Sequence, residues 1–303
     1  MSILQRTSAG PLFKGWDNRL IKIVIYHLKK SLFCVNGGGN NMEHIIVDTL
    51  NGVRTLTLNR PERLNAVNDK LSTEIIQAIA EASADDEVRV IVITGKGRGF
   101  CAGLDLSDYA KREQSTDSRH KKLDDMGWVG HQALGIVHCD KPVIAAINGI
   151  AAGAGLALAL ACDMRFMSTS ARVTSGYIRR GLSPDAGMTY FLPRLVGHAK
   201  AAELILTGRD IYPDEAERIG LVNGIYPDEE FQDRVRIFAR ELAEGPPVAL
   251  TLSKRLLVAS QDSDLTTILR QEYASIKICF GTKDVQEGIT AFAEKRKPVF
   301  FGE

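Results

Sequence analysis

The residues most suited to chemistry lie in one stretch of the chain, residues 142–187. Val143 to Ile147 is a short apolar run that predicts a buried strand. Asn148-Gly149 ends this run, and the next segment, residues 151–155, reads A-A-G-A-G and has almost no side-chain atoms. Leu156 to Cys162 is then a run of good helix formers. Such an arrangement places unpaired backbone N–H groups at the positive end of a helix dipole, which suits an anion or an oxygen that becomes one.

This small-residue turn has two interpretations when it is taken alone. Nucleotide binding is not predicted, because the turn contains neither the Walker lysine pattern nor G-x-G-x-x-G. An oxyanion hole is the first interpretation. Close packing is the second, in which the glycines only let two backbone segments approach each other.

A second small-residue segment, Gly99 to Leu106, follows the apolar run Val88 to Thr94 and reads G-F-C-A-G-L-D-L. With A-I-N-G at residues 146–149 and the turn after it, this segment resembles the crotonase family, also called the enoyl-CoA hydratase/isomerase family. The resemblance extends over about residues 43 to 300, through C-D at 162–163, L-P-R-L-V-G at 192–197, L-T-G at 206–208, E-A-x-x-x-G-L-V at 215–222 and E-K-R-x-P at 294–298.

Composition narrows the possible partners and compartments. A net charge of +1 gives no long-range reason to expect nucleic acid or a membrane surface as a partner. The five cysteines, at 34, 101, 139, 162 and 279, are widely spaced and lack a C-x-x-C pair. They are typical of reduced thiols in an intracellular protein and predict neither disulfides nor a metal site. We therefore expect a cytoplasmic protein.

The first 41 residues differ from the rest of the chain. Leu20 to Val35 is apolar but is interrupted by three lysines, so it fits neither a membrane span nor a secretory signal. Residues 37–41, G-G-G-N-N, are typical of a flexible linker. We interpret residues 1–41 as a flexible upstream extension from a misassigned start. An organelle-targeting segment is the alternative, and it would place the protein in an organelle matrix.

The elements around these motifs predict an α/β fold. Ile45 to Leu50 and Val53 to Leu58 flank Asn51-Gly52, which predicts a β-hairpin. Apolar residues recur every four positions in a predicted helix from Asp69 to Ala84, and the strand Val88 to Thr94 follows. The resemblance implies a crotonase-like spiral of ββα units over residues 42–238. It also implies a helical C-terminal oligomerisation region over residues 239–303, with assembly into trimers or hexamers.

The resemblance also implies the substrate and the groups that bind it. The substrate would be an acyl-CoA whose thioester oxygen accepts hydrogen bonds from the backbone N–H groups of Leu104 and Ala154, flanked by Ala102 and Gly153. Fixed donors of this kind stabilise an enolate-like transition state by about 3 kcal/mol. Coenzyme A is then part of the substrate, and no separate cofactor or metal is expected.

Asp185 is the acid nearest to these motifs. Its local sequence S-P-D-A-G fits a helix start, with Ser183 as N-cap, Pro184 at the first helical position and Asp185 complementing the dipole. The resemblance instead matches Asp185 to a catalytic aspartate in three branches of the family. These are dienoyl-CoA isomerase, the ring-epoxide isomerase of phenylacetyl-CoA breakdown and 4-chlorobenzoyl-CoA dehalogenase, and the pattern around Asp185 is most similar to the second.

The reaction follows from which carboxylates are present. Typical hydratases of the family carry two glutamates, and Ala157 and Tyr177 occupy those positions here, which argues against hydration because water addition uses both acids. A single acid can shift a double bond by removing and returning one proton, so isomerisation of an enoyl-CoA is our first hypothesis. The alternatives are dehalogenase-like attack by Asp185, hydration, and a non-catalytic binding protein.

Further binding residues come from the resemblance. The dehalogenase alternative would use Tyr177 as an aromatic contact, together with His131 and Trp128, although a lone helical histidine is more often structural. Arg63 and Leu64 match the adenine-contacting segment, and Lys295 matches a contact to CoA phosphates of a neighbouring subunit. Arg63 and Lys295 fit solvated surface residues equally well. Tyr109 is expected to line the acyl pocket.

Overall fold

The computed structural model describes residues 42–107 and 119–303. The predicted extension, residues 1–41, and the predicted pocket residue Tyr109 lie outside the described residues. Within the described part, residues from Met42 to Glu303 belong to one unit. The predicted division after residue 238 stays a prediction, and a helix, Phe231–Ala243, runs across that point.

The strands belong to two sheets. Their bounds are β1 Ile45–Leu50, β2 Val53–Leu58, β3 Val90–Gly95, β4 Gly99–Cys101, β5 Val143–Ile147, β6 Ile150–Ala152, β7 Met164–Ser168, β8 Val173–Thr174 and β9 Gly224–Tyr226. Among the described residues, the larger sheet has the order β1-β2-β3-β5-β7-β9 and the smaller sheet the order β4-β6-β8. The β1–β2 hairpin is antiparallel, as predicted, and the pairings that follow it in both sheets are parallel.

The helices fill the connections and the C-terminal part. Their bounds are α1 Asp69–Ala84, α2 Arg119–Lys122, α3 Gly127–Val137, α4 Ala154–Ala161, α5 Met188–Val196, α6 His198–Thr207, α7 Pro213–Arg218, α8 Phe231–Ala243, α9 Pro247–Ala259, α10 Leu265–Phe280 and α11 Lys283–Glu294. The predicted helix Asp69 to Ala84 is confirmed at both ends, and Asn68 caps it by accepting a hydrogen bond from Leu71 N. The predicted strand Val88 to Thr94 is confirmed with a shift of its bounds to Val90–Gly95.

A strand–strand–helix unit repeats along the chain. In β3–β4, β5–β6 and β7–β8 the first strand joins the larger sheet and the second joins the smaller sheet. The chain therefore winds as a spiral in which corresponding turns stack on each other. Because β4 and β6 pair in parallel, the segments that follow them, residues 102–104 and 153–155, arrive at the same edge of the smaller sheet.

The core lies on both faces of the larger sheet. Alternate residues of β3 point to opposite faces, so Ile91 and Ile93 pack with α1 and α4, whereas Val90 and Val92 pack with α8. This two-sided burial explains why the central strands are continuous apolar runs. No helix of the described residues is long and apolar enough to span a membrane.

Lys254 joins α9 to the sheet. Its buried Nζ donates to Asp163 Oδ2 at 2.8 Å and to the carbonyls of Ile136 and Lys141. Asp163 Oδ2 also accepts from Val143 N at the start of β5. The buried ammonium group and the carboxylate that pairs with it therefore both have hydrogen-bond partners. These bonds connect α9 to β5, the strand that leads to the small-residue turn.

Candidate active site

Two small-residue turns, residues 102–104 and 152–155, pack directly against each other. A Cβ placed on Gly155 would overlap the carbonyl group of Cys101. A Cβ placed on Gly103, whose φ is +90°, would lie 2.6 Å from Ala152 O and 3.5 Å from Ala154 N. Glycine is therefore required at both positions by backbone contact. Close packing thus accounts for Gly155, while Gly153 and Ala154 on the same turn face an open cavity.

Leu104 and Ala154 each have a backbone N–H group that secondary structure leaves without an acceptor, so it can donate to a ligand. Leu104 forms a parallel bridge with Val67, in which Gly103 O accepts from Val67 N and Asp105 N donates to Val67 O. In such a bridge the N–H of the middle residue, Leu104, points away from the partner strand. Ala154 is the first residue of α4, so its N–H has no acceptor within the helix. Both residues line the same cavity.

A buried polar network supports the first turn from behind. Arg60 donates to Asp105 Oδ2 at 3.0 Å and to Ala66 O, and both charged side chains are nearly inaccessible to solvent. Asn65 Nδ2 donates to Gly99 O at 2.7 Å, and Ala102 N donates to Leu64 O at 3.0 Å. These bonds hold the segment that follows β4 in one position, because breaking any of them would leave a buried polar group unpaired.

Asp185 does not belong to the start of a helix. The predicted cap formed by Ser183, Pro184 and Asp185 is wrong, since α5 begins at Met188 with Gly187 as its N-cap and without a capping side chain. Gly187 takes a left-handed conformation there, which turns the chain only after Asp185. The carboxylate instead accepts a hydrogen bond of 2.6 Å from the Tyr177 hydroxyl.

Tyr177 is a buried hydroxyl donor for this carboxylate. Burial raises the pKa of Tyr177 far above its usual value, and the hydrogen bond to Asp185 raises it further. The phenol therefore stays protonated near neutral pH and donates to Asp185 Oδ1. Because a charge-assisted hydrogen bond of this length restricts the side chain, Asp185 is held against the wall of the cavity.

A cavity of about 420 Å³ brings these groups together. Its lining comes from both turns, from α3 and from the segment before α5. The residues are Ala102, Gly103, Leu104, Leu106, Trp128, Ala152, Gly153, Ala154, Gly176, Tyr177, Arg180, Leu182, Ser183 and Asp185. Seven of the residues singled out from the sequence are among them: Ala102, Leu104, Trp128, Gly153, Ala154, Tyr177 and Asp185.

Four other predicted residues lie elsewhere. His131 is half exposed and its Nε2 lies 3.1 Å from Asp124 Oδ1, outside the cavity lining. Arg63 is exposed at the end of a 3₁₀ turn, and Leu64 packs behind the first small-residue turn. Lys295 is exposed at the end of α11. Binding of CoA by Arg63, Leu64 and Lys295 stays a prediction, as does the role of Tyr109, which lies outside the described residues.

Sequence analysis did not predict four of the lining residues whose side chains are larger than a methyl group. Leu106 and Leu182 add apolar surface, and Ser183 and Arg180 add polar groups. Arg179-Arg180 is visible in the sequence as a basic pair, but its spacing does not show which arginine enters the cavity. A 3₁₀ turn, Ile178–Arg180, directs the two side chains apart.

The carboxylates at the cavity are few. Asp185 is the one acid among the described lining residues, because Ala157 is a buried alanine and Tyr177 is a phenol. The described residues also contain no group of three His, Cys, Asp or Glu side chains placed to hold a metal ion. The arrangement can therefore exchange one proton at a time with a ligand whose oxygen is bound at the two turns.

The cysteines in the motif segments are inert. Cys101 and Cys162 are buried, as predicted for small apolar side chains. Burial raises the pKa of each thiol to about 12, so neither forms a thiolate at neutral pH. Neither is therefore a nucleophile for this cavity.

Comparisons with known proteins show what the chain is similar to. The family model for enoyl-CoA hydratase/isomerase matches residues 48–303. Over 262 residues the chain is 36% identical to the 1,2-epoxyphenylacetyl-CoA isomerase of Escherichia coli (strain K12), with 86% of this chain and 100% of that protein covered. It is also 36% identical, over 258 residues, to the short-chain-enoyl-CoA hydratase of Clostridium acetobutylicum, with 84% of this chain and 97% of that protein covered.

Solved structures show the same likeness. The enoyl-CoA hydratase from Bacillus anthracis superposes with a TM-score of 0.81 at 34% identity, and the match covers 86% of this chain and all of that one. The predicted crotonase-like α/β fold with C-terminal helices is thereby confirmed. The relatives include proteins named as isomerases and proteins named as hydratases, so their names alone do not select the reaction.

Proposed function

Because the chain belongs to the enoyl-CoA hydratase/isomerase family, we propose that it shifts a carbon–carbon double bond in an enoyl-CoA, with Asp185 as its single acid and base. The observation that carries this proposal is the cavity in which Asp185 is the one carboxylate among the described lining residues. Leu104 and Ala154 line the same cavity, which supports the proposal that their N–H groups bind a thioester oxygen.

The proposed reaction needs one proton to move twice. Asp185 removes a proton from the carbon next to the thioester of a 3-enoyl-CoA, and the electron pair moves into a dienolate. The N–H groups of Leu104 and Ala154 stabilise the negative oxygen of this dienolate. Asp185 then returns the proton two carbons further along, which gives the conjugated 2-enoyl-CoA and restores the carboxylate.

Tyr177 has a supporting role in this mechanism. Its hydroxyl donates to Asp185 Oδ1 at 2.6 Å, and in the proposed mechanism Oδ2 is the oxygen that takes the proton. Because Tyr177 stays protonated, it keeps the carboxylate oriented through both proton transfers. Typical hydratases of this family have a glutamate at this position, and an ionised glutamate could not donate a hydrogen bond to Asp185.

The alternative reactions have less support. Dehalogenase-like attack would call on His131, which is paired with Asp124 outside the cavity. Hydration has one specific observation in its favour, the 36% identity to a short-chain-enoyl-CoA hydratase. It would require Asp185 and the Tyr177 hydroxyl together to hold and activate water, since a second carboxylate is missing from the described lining.

An assay with the unmodified protein tests the reaction. We expect it to convert 3-enoyl-CoA to 2-enoyl-CoA, followed as the rise of conjugated-enoyl absorbance. Solvent deuterium exchanged onto Asp185 should enter the product two carbons beyond the one next to the thioester, where the proton is returned. We expect little or no 3-hydroxyacyl-CoA from 2-enoyl-CoA, measured by mass spectrometry. Hydroxy product formed faster than the isomerised product would replace our proposal with hydration. Free halide released from 4-halobenzoyl-CoA would replace it with dehalogenation.

We also propose that the protein assembles as a trimer or a pair of trimers through its C-terminal helices. On α10, Leu265, Leu269, Tyr273, Ile276 and Phe280 recur on one helical face, and each is about half or more exposed. A contiguous apolar face of this kind is typical of an interface. Light scattering should therefore give three or six times the chain mass, and Leu269→Glu should lower it. A monomeric wild type would contradict this proposal.

A further inference from the structure

Arg180 carries a permanent positive charge into the cavity. It is the one cationic side chain among the described residues that line it. Its Nη1 donates to Gly176 O at 3.2 Å, which uses one of five guanidinium donors. Among the described residues, no carboxylate lies within ion-pair distance of it. The guanidinium therefore faces the cavity with most of its donors available to a ligand.

The neighbouring arginine gives a direct contrast. Arg179 points to the outside, where its Nη1 lies 3.1 Å from Asp210 Oδ1, an acid that also pairs with Arg172. Two successive arginines thus have different environments, one paired at the surface and one turned into the cavity. Arg180 is exposed and has no acidic partner among the described residues, so a ligand in the cavity can pair with its guanidinium.

The place of Arg180 within the cavity limits what that group is. The guanidinium rests on Gly176, the residue before Tyr177, and Tyr177 contacts Asp185. Arg180, Tyr177 and Asp185 line the same cavity, and in the proposed mechanism Asp185 contacts the carbons that react. The phosphates of coenzyme A are separated from these carbons by the whole pantetheine arm. Arg180 is therefore placed to meet the acyl group rather than the nucleotide end.

We propose that the acyl group bound here carries a second carboxylate, remote from the thioester, and that Arg180 binds it. This inference rests on the proposed function, because it takes the acyl chain to lie along the wall with Asp185. A planar guanidinium matches a carboxylate through two parallel hydrogen bonds. The apolar side chains of Leu106, Leu182 and Trp128 line the rest of the cavity and suit the methylene groups between the two ends. The substrates are thus monothioesters of dicarboxylic acids.

Binding of unreactive acyl-CoA pairs tests this inference without turnover. Isothermal titration calorimetry compares succinyl-, adipoyl- and suberoyl-CoA with butyryl-, hexanoyl- and octanoyl-CoA, which match them in chain length and lack the carboxylate. For at least one chain length, Arg180→Met should raise the Kd of the carboxylated ligand at least about tenfold, as for loss of a charged hydrogen bond, and that of its partner less than about twofold. Arg179→Met is the matched control and should change neither.

The outcomes separate this inference from the proposed function. If Arg180→Met weakens carboxylated and plain ligands equally, the guanidinium serves coenzyme A or the cavity shape, and the inference is wrong. If it weakens neither, the inference is also wrong, while isomerase activity on 3-enoyl-CoA would still support the proposed function. If the wild type binds none of the six ligands, both proposals fall. Thermal melting of Arg180→Met should match the wild type, since Arg180 is exposed.

Discussion

Replacing Asp185 with asparagine is expected to lower kcat for 3-enoyl-CoA isomerisation by about a thousandfold, the usual range for a general acid or base. Asparagine has the same shape and can still accept the hydrogen bond from Tyr177, but it cannot take a proton. Acyl-CoA binding should change little, because Leu104 and Ala154 keep their N–H groups. The measurement is kcat and KM together with solvent deuterium incorporated at the carbon that receives the proton, which should be lost with kcat.

A second Tyr–Asp pair provides a matched control. Asp262 accepts a hydrogen bond of 2.9 Å from the Tyr190 hydroxyl and lies outside the cavity. Asp262→Asn should therefore keep wild-type kcat and KM. Because both acids are exposed, both variants should fold and melt near the wild-type temperature. Wild-type turnover by Asp185→Asn would show that another group moves the proton, and the single-acid mechanism would be lost.

Gly103→Ala is expected to reduce kcat/KM by about a hundredfold or more, which is the usual cost of losing one oxyanion donor. The new Cβ would lie 2.6 Å from Ala152 O, so the two turns must move apart. Leu104 follows Gly103 on one turn and Ala154 lies on the other, so their N–H groups would no longer converge on one oxygen. Binding of a thioester should weaken in parallel, because the same donors hold the ground state.

Gly52→Ala separates this effect from simple backbone strain. Gly52 has a similar φ, +75°, but a Cβ there meets only Arg89 at an ordinary 3.5 Å, in the hairpin far along the sheet. We expect Gly52→Ala to lose about 1 kcal/mol of stability from its left-handed conformation and to keep kcat. Gly103→Ala should melt lower and also lose activity at temperatures where it is folded by circular dichroism. Full activity of folded Gly103→Ala would refute the role of the two turns.

Local sequence patterns predicted the elements that depend on neighbouring residues. Asn51-Gly52 favours left-handed backbone and predicted the hairpin, and the four-residue spacing of Leu71, Ile75 and Ile79 predicted α1 with its buried face. The apolar run Val143 to Ile147 predicted β5 because the strand is buried on both faces and needs no alternation. The ordered motifs, spread over most of the chain, were specific enough to indicate the family.

The arrangement of the side chains at the site could not be predicted from local sequence and required the folded chain. Ser183-Pro184-Asp185 has the local pattern of a helix cap, yet the left-handed Gly187 delays α5 and leaves Asp185 to pair with Tyr177, eight residues away. A short 3₁₀ turn decides that Arg180 enters the cavity while Arg179 leaves it. These outcomes depend on backbone direction over a few residues and on the partner that each side chain then reaches. Neither the backbone direction nor the partner can be read from residue type and spacing.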